Sequence, residues 1–245
     1  MSPWLPLALS ATLLILPRFL RPPTAPTWEF RGFLAFLWYL NAAYCTLMHR
    51  LQGDPSTLPP TGPAILIANH TCNIDHFLLQ AGTGRQLGFL IAREFYDYWA
   101  FHPFCKMIGC IPVNRDGRDL AATRAALRAL ADGRVVPVFP EGRITPSSGR
   151  ELGEGKPGVA FIALRAKVPV VPAYIWGAPP SKKFLVSLCS PSHTRILYGP
   201  PIDPSSFVAE KGHDAERAAI TRTTEILMGA LEDLRQRAIR EDRAG

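Results

Sequence analysis

"AILIANHTCNIDHF", residues 64–77, decides the architecture. Its first five residues, Ala64–Ala68, are apolar without alternation, which is the pattern of a strand covered on both faces. The run then breaks into polar residues, and a His, an Asp and a second His crowd together just past its end. The chain on either side repeats the pattern. Gly88–Ala92, Cys110–Val113, Val135–Phe139, Val168–Ile175, Phe184–Leu188 and Thr194–Tyr198 read as further strands. Glu94–Met107, Asp119–Ala131 and Pro157–Lys167 read as helices, the second with Leu120, Leu127 and Leu130 on one face and Gly133 as its stop. From His213 a closing helix carries Ile220, Leu227, Leu231 and Leu234 on one side. Strands alternating with helices predict an α/β fold with a mostly parallel mixed sheet flanked by helices.

Upstream, Met1–Leu20 is apolar and uncharged until Arg18, a borderline transmembrane span. The charges follow the apolar run, which argues against a signal peptide. Pro22, Pro23 and Pro26 interrupt the chain before a second apolar stretch, Phe30–Leu51, rich in Trp and Tyr and bracketed by Arg31, His49 and Arg50. Such rings suit a bilayer interface; a buried core helix is the other reading. Two consecutive apolar helices give a membrane-associating segment, 1–52, ahead of an α/β domain, 53–245, with the Pro- and Gly-rich stretch 53–62 as linker.

The five cysteines are scattered and never spaced C-x-x-C, which excludes a disulfide framework and a structural zinc site of familiar spacing. A net charge of +7 favours anionic partners. Nucleic acid is not among them, because no basic stripe with interleaved aromatics occurs, and the arginines of the tail helix are mixed with acids.

Chemistry in such sheets collects at the carboxyl ends of strands. Three predicted strands end there in polar turns, delivering His70 and Asp75, Asn114 and Arg115, and Glu141 and Arg143. A carboxylate that accepts from one imidazole nitrogen fixes the tautomer and leaves the other nitrogen free to take a proton. No G-x-S-x-G elbow supplies a nucleophile, so that proton comes from a substrate hydroxyl. A capping Asp beside a surface His is the plainer reading. A metal-dependent hydrolase using His70, Asp75 and His76, with Cys72 beside them, is the rival chemistry, although the spacing matches no familiar ligand set. Arg115 suits bidentate phosphate recognition. Glu141 sits between Pro140 and Gly142, where glycine permits close approach, and with Arg143 and Thr145 it could hold an acceptor's polar head.

"NHTCNID" (69–75), "IPVNRDG" (111–117), "FPEGRIT" (139–145) and "VPVVPAYI" (168–175), in that order, resemble the four blocks of the glycerolipid acyltransferases typified by 1-acylglycerol-3-phosphate acyltransferase. "YGPPID" (198–203) is similar to that family's closing strand. The resemblance implies that His70 is the general base, that Asp75 orients it, and that Arg115, Glu141, Gly142 and Arg143 bind the acceptor. It also implies that Pro172 shapes the acyl-binding side. The substrates it implies are acyl-CoA or acyl-carrier protein as donor and a lysophospholipid as acceptor, at the cytoplasmic face of a membrane and without a cofactor. Three departures stand out. Arg143 directly follows Gly142, a version similar to 2-acylglycerophosphoethanolamine acyltransferases; Cys72 stands where Ser is usual; and Asn114 replaces a frequent Asp.

Overall fold

The computed structural model describes residues 29, 31–114, 119–145, 147–207 and 212–244. The first apolar segment, Met1–Leu20, lies outside the described residues. The second forms helix α1, Phe33–His49, which turns Trp38, Ala42, Cys45 and His49 into the core. Among the described residues no helix is long and apolar enough to cross a membrane.

Five strands form the main sheet: β1 (Gln52–Gly53), β2 (Ala64–Ala68), β5 (Val135–Val138), β6 (Val170–Trp176) and β7 (Arg195–Tyr198), in the order β1-β7-β6-β2-β5. Only β6 and β7 run antiparallel. Strands β3 (Leu90–Ala92) and β4 (Ile111–Val113) pair in parallel. They prolong the β5 edge, because the Gly88 N–H donates to Val135 C=O (2.9 Å) and the Ile111 N–H to Phe89 C=O (2.8 Å).

β2 lies between β5 and β6 and is buried throughout, so its unbroken apolar sequence has a partner on each face. Ala64, Leu66 and Ala68 join Val171, Ala173 and Ile175 of β6 in a cluster with α1, α2 (Asp75–Gly82) and Cys105. Ile65 and Ile67 face the other way, toward α5 (Leu120–Ala131), α6 (Gly158–Ala166) and α8 (His213–Ala244). Tyr174 and Leu197 meet Leu234 and Ala238 of α8 farther along the same layer.

Three elements differ from the sequence expectation. Phe184–Leu188 is not a strand but lies in helix α7 (Phe184–Cys189), because β6 and β7 already have both of their sheet neighbours. Glu94–Met107 is not one helix but two, α3 (Arg93–Tyr96) and α4 (His102–Ile108). Pro103, in the first turn of α4, cannot continue a helix from the preceding turn. In α5, Leu120 is 63% exposed, and the buried face is Ala122, Ala126, Ala129 and Leu130. Those small side chains let α5 and α6 share one cluster.

All five cysteines are free, and only Cys189, at the end of α7, is exposed.

Candidate active site

Parallel pairing of β2 with β5 and β6 sets their carboxyl ends side by side. The chain leaving β2 is pinned at once. Asn69 is buried, and its amide donates to Ile175 C=O (3.0 Å) while its oxygen accepts from the Ile175 N–H (2.7 Å), so a side chain continues the ladder toward β6. That frees the next residue, His70, to turn out at the strand end.

Asp75 begins α2, where an acidic side chain suits the positive end of the helix dipole. Its carboxylate is buried and gathers the turn around itself. Oδ2 accepts from His70 Nδ1 (2.7 Å), the Thr71 N–H (2.6 Å) and the Cys72 N–H (3.0 Å), and Oδ1 accepts from the Thr71 hydroxyl and the Cys72 thiol (3.2 Å). Five donors on one carboxylate leave the imidazole little freedom, and Nδ1 carries the proton. Nε2 is the nitrogen left to act as a base. Phe139, the residue after β5, lies flat on the His70 ring with centroids 4.1 Å apart and planes 9° apart, which fixes the ring's rotation too.

Glu141 is 4% exposed. Its Oε1 accepts the His70 N–H (2.9 Å) and its Oε2 accepts the Gly153 N–H (2.8 Å), so it ties the β5 turn to the β2 turn. Burial pushes its carboxyl up from the ordinary range, and those two N–H donors pull against that shift. A Cβ at Gly153 would stand 2.8 Å from Oε2, so glycine is required there by close approach. Gly142 has φ +68°, and a Cβ on it would stand 2.8 Å from the Lys156 ammonium. Arg143 is exposed, with no hydrogen bond or ion pair among the described residues. Thr145 and Ser148 line a hollow of about 330 Å³ with Thr71, Ile144, Pro180, Ser181 and Lys182.

Arg115 lies outside the described residues; Asn114, before it, donates its N–H to Asp119 (2.6 Å) and accepts from Arg93 (2.8 Å). Pro172 is buried in the middle of β6, on the α8 side beside Gly199 and Leu234. His76 packs against Phe77 and Phe89, with centroids at 4.9 and 5.7 Å, and burial lowers its pKa to about 4. Among the described residues no three His, Cys, Asp or Glu side chains converge on a point that could hold a metal ion. The hydrolase alternative therefore has no ligand set there.

The family model for acyltransferases matches residues 52–176, just over half of the chain, and spans the dyad, the β5 turn and β6. The chain belongs to the acyltransferase family. Over 162 residues it is 30% identical to the "Probable 1-acyl-sn-glycerol-3-phosphate acyltransferase" of Mycoplasma genitalium, covering 60% of this chain and 59% of that one. It is 24% identical over 182 residues to the 1-acyl-sn-glycerol-3-phosphate acyltransferase of Bacillus subtilis, covering 74% and 85%. The chain thus spans about three fifths of the Mycoplasma protein's length. The crystal structure of the 1-acyl-sn-glycerophosphate acyltransferase PlsC from Thermotoga maritima has the same fold, with a TM-score of 0.64 at 20% identity over 95% of this chain and 88% of that one.

Several residues of the candidate site are not evident from residue type alone. Asn69 and Phe139 lie inside the recognised blocks, and their motif positions could have flagged them. Gly153, Lys156 and Lys182 come from segments with no motif, and only the folded chain brings them to the site.

Proposed function

We propose that the protein transfers a fatty acyl chain from acyl-CoA or acyl-carrier protein to the free hydroxyl of a lysophospholipid, with 1-acylglycerol-3-phosphate as the acceptor. The observation that carries this reading is the 2.7 Å contact from His70 Nδ1 to a carboxylate that is itself held by four more donors. The names of the Mycoplasma and Bacillus relatives support the choice of acceptor.

The acceptor hydroxyl approaches Nε2 of His70. Its proton passes to Nε2 as the oxygen attacks the thioester carbon, and Asp75 stabilises the imidazolium that forms. The C–O bond forms, the C–S bond breaks, and the thiolate takes the proton back from His70. Charge developing on the thioester oxygen needs a donor. The N–H groups of His70, Thr71 and Cys72 are occupied by Glu141 and Asp75, whereas the Arg143 N–H, past Gly142, has no partner among the described residues. Arg143 supplies that donor from its backbone, and with Arg115 and Lys156 it gives the acceptor phosphate a cationic surround. Thr145 lines the hollow that takes the polar head. Glu141 fixes the position of both turns, and Pro172 of β6 shapes the side that takes the acyl chain. The reaction uses no resident cofactor and takes place on the cytoplasmic face of a membrane, where the N-terminal segment keeps the enzyme beside its lipid. The Gly142-Arg143 spelling favours a second acceptor, 2-acylglycerophosphoethanolamine.

Assay of the purified protein with labelled acyl-CoA and acyl-carrier protein against a panel of lyso-lipids tests the reading. Transfer to 1-acylglycerol-3-phosphate is expected, with loss of at least about 10³-fold in His70→Ala. Full turnover in that variant would remove His70 as the base, and transfer to lysophosphatidylethanolamine alone would overturn the acceptor.

A further inference from the structure

Toward the sheet edge away from β5, the ends of β1, β6 and β7 border a recess of about 360 Å³. Its floor is a row of registered residues: Trp176 of β6 pairs with Arg195 of β7, which pairs with Gln52 of β1. The last turn of α8 contributes Asp242, and Arg50 and His193 complete the lining. The walls are held in place. The Ser192 and Thr194 N–H groups donate to Met48 C=O (3.2 Å) and His49 C=O (2.9 Å), so the loop carrying His193 is stitched to the end of α1. Gly177 has φ +74°, and a Cβ on it would overlap the His193 carbonyl oxygen, so the chain leaving β6 packs directly on that loop. Arg195 is engaged by Glu241.

The other polar groups of the recess are not engaged. Arg50 donates from Nη1 to His193 Nε2 (2.7 Å) and has no acidic partner among the described residues. An arginine only donates, so that contact puts the His193 proton on Nδ1 and leaves a further donor there. The Trp176 indole N–H, the Gln52 amide and the Asp242 carboxylate also have no side-chain partner among the described residues. A half-buried indole beside a cation, an amide and a carboxylate matches the parts of a ribonucleotide. The base stacks on the ring, amino or ribose hydroxyl groups donate to Asp242, and phosphate meets Arg50 and His193. The recess lies at the same end of the sheet as the His70–Asp75 pair. Asn69, just before His70, bonds Ile175, just before Trp176, and β7 is two strands from β2, about 10 Å. Leu152 packs on the cluster that includes Trp176, and its neighbour Gly153 donates to the Glu141 carboxylate that holds the His70 N–H.

We propose that this recess takes the adenine nucleotide head of an acyl-CoA donor, with the pantetheine arm crossing the end of β6 past Leu152 to bring the thioester to His70. A nucleotide is favoured over a carrier protein because the recess is small and concave, whereas a protein partner needs a broad face. The delivery of the thioester rests on the acyl-transfer reading above; nucleotide binding itself does not.

The test uses the full chain and its Trp176→Leu and Arg50→Glu variants. The donors are acyl-CoA, the matching S-acyl-pantetheine, which lacks the nucleotide, and acyl-carrier protein. KM for acyl-CoA is expected to rise about tenfold in each variant at level kcat, while KM for S-acyl-pantetheine stays level. Adenosine 3′,5′-bisphosphate should compete with acyl-CoA in the parent and leave S-acyl-pantetheine turnover alone. An unchanged KM for acyl-CoA overturns the proposal. So does an equal rise for both small donors, which makes the effect a disturbance of the fold, and so does a loss confined to acyl-carrier protein. Tighter binding of ATP than of CoA in calorimetry makes the recess an effector site and overturns the donor assignment. If Trp176→Leu fails to fold in a thermal melt, Arg50→Glu, at an exposed position, decides alone. If the parent transfers no acyl group from any donor, the acyl-transfer reading fails and calorimetry with CoA decides the recess. Binding that weakens in Arg50→Glu sustains it, and no binding overturns it.

Discussion

At Asp75 one carboxylate does two jobs with the same oxygens. It holds the proton of His70 on Nδ1, and it folds the turn that carries His70 by accepting from the Thr71 and Cys72 N–H groups. Asp75→Asn keeps the shape, its amide oxygen taking the Oδ2 place under the Thr71 and Cys72 N–H groups, but the neutral amide no longer stabilises the imidazolium that forms on His70. Steady-state kinetics should show kcat lowered about 10²- to 10⁴-fold with KM little changed, and denaturation should show a loss of about 1–3 kcal/mol as charge-assisted hydrogen bonds become neutral ones. His76, one residue on, supplies a pH signature that is independent of turnover. Its pKa falls from 6.5 in the unfolded chain to about 4 in the fold because burial penalises the charged ring. Below pH 6.5 the unfolded chain therefore binds more protons, and stability falls as pH drops from 6.5 to about 4. The loss is at most about 3 kcal/mol given the ring's partial exposure. Urea melts across that range should reveal it, and His76→Phe should flatten it.

Among the elements, β2 organises the site, because β5 sends the Glu141 turn back to it and its own Asn69 reaches across to β6. Asn69 is the hinge pin. Asn69→Ala leaves the Ile175 N–H and C=O buried without partners, a cost of about 2–4 kcal/mol measurable by chemical denaturation. The His70 turn should loosen with it. Elements of this kind were legible before any coordinates. Ala64–Ala68 reads as a doubly covered strand from its unbroken apolar run, and it is one, with the same ends. The helix read over Asp119–Ala131 is α5, with Asp119 as its cap accepting from the Ala122 N–H at 2.8 Å. His70, Asp75 and Glu141 meet because parallel neighbours must end together. What stayed hidden depends on the finished sheet. Phe184–Leu188 has strand composition, but no ladder position remains for it beside β6 or β7, and its apolar side chains face outward from a helix instead. The Glu141–Gly153 bond joins turns whose approach is set by the loop after β5, and no periodicity in the sequence encodes it.

Across the whole molecule the two sides of the sheet serve different ends. The side toward α5, α6 and α8 is closed by α8, whose 32 residues cover both clusters there and are tied at the far end by Arg237 to Asp54 (2.7 Å) and by Glu241 to Arg195 of β7. The side toward α1, α2 and α7 carries Cys72 and Phe139 of the site and the exposed apolar side chains of α1. The five thiols follow the same division of buried and open surface. Cys45, Cys72, Cys105 and Cys110 are enclosed, and burial raises each thiol's pKa, so alkylating reagents that need the thiolate should pass them by. Titration with a chromogenic disulfide should count one reactive group in the native protein and five after guanidinium. Cys189 is consequently a ready-made attachment point for a single spin label or environment-sensitive dye on the unaltered chain, three residues past Val186, from which a change in emission or line shape reports directly whether that edge has left water.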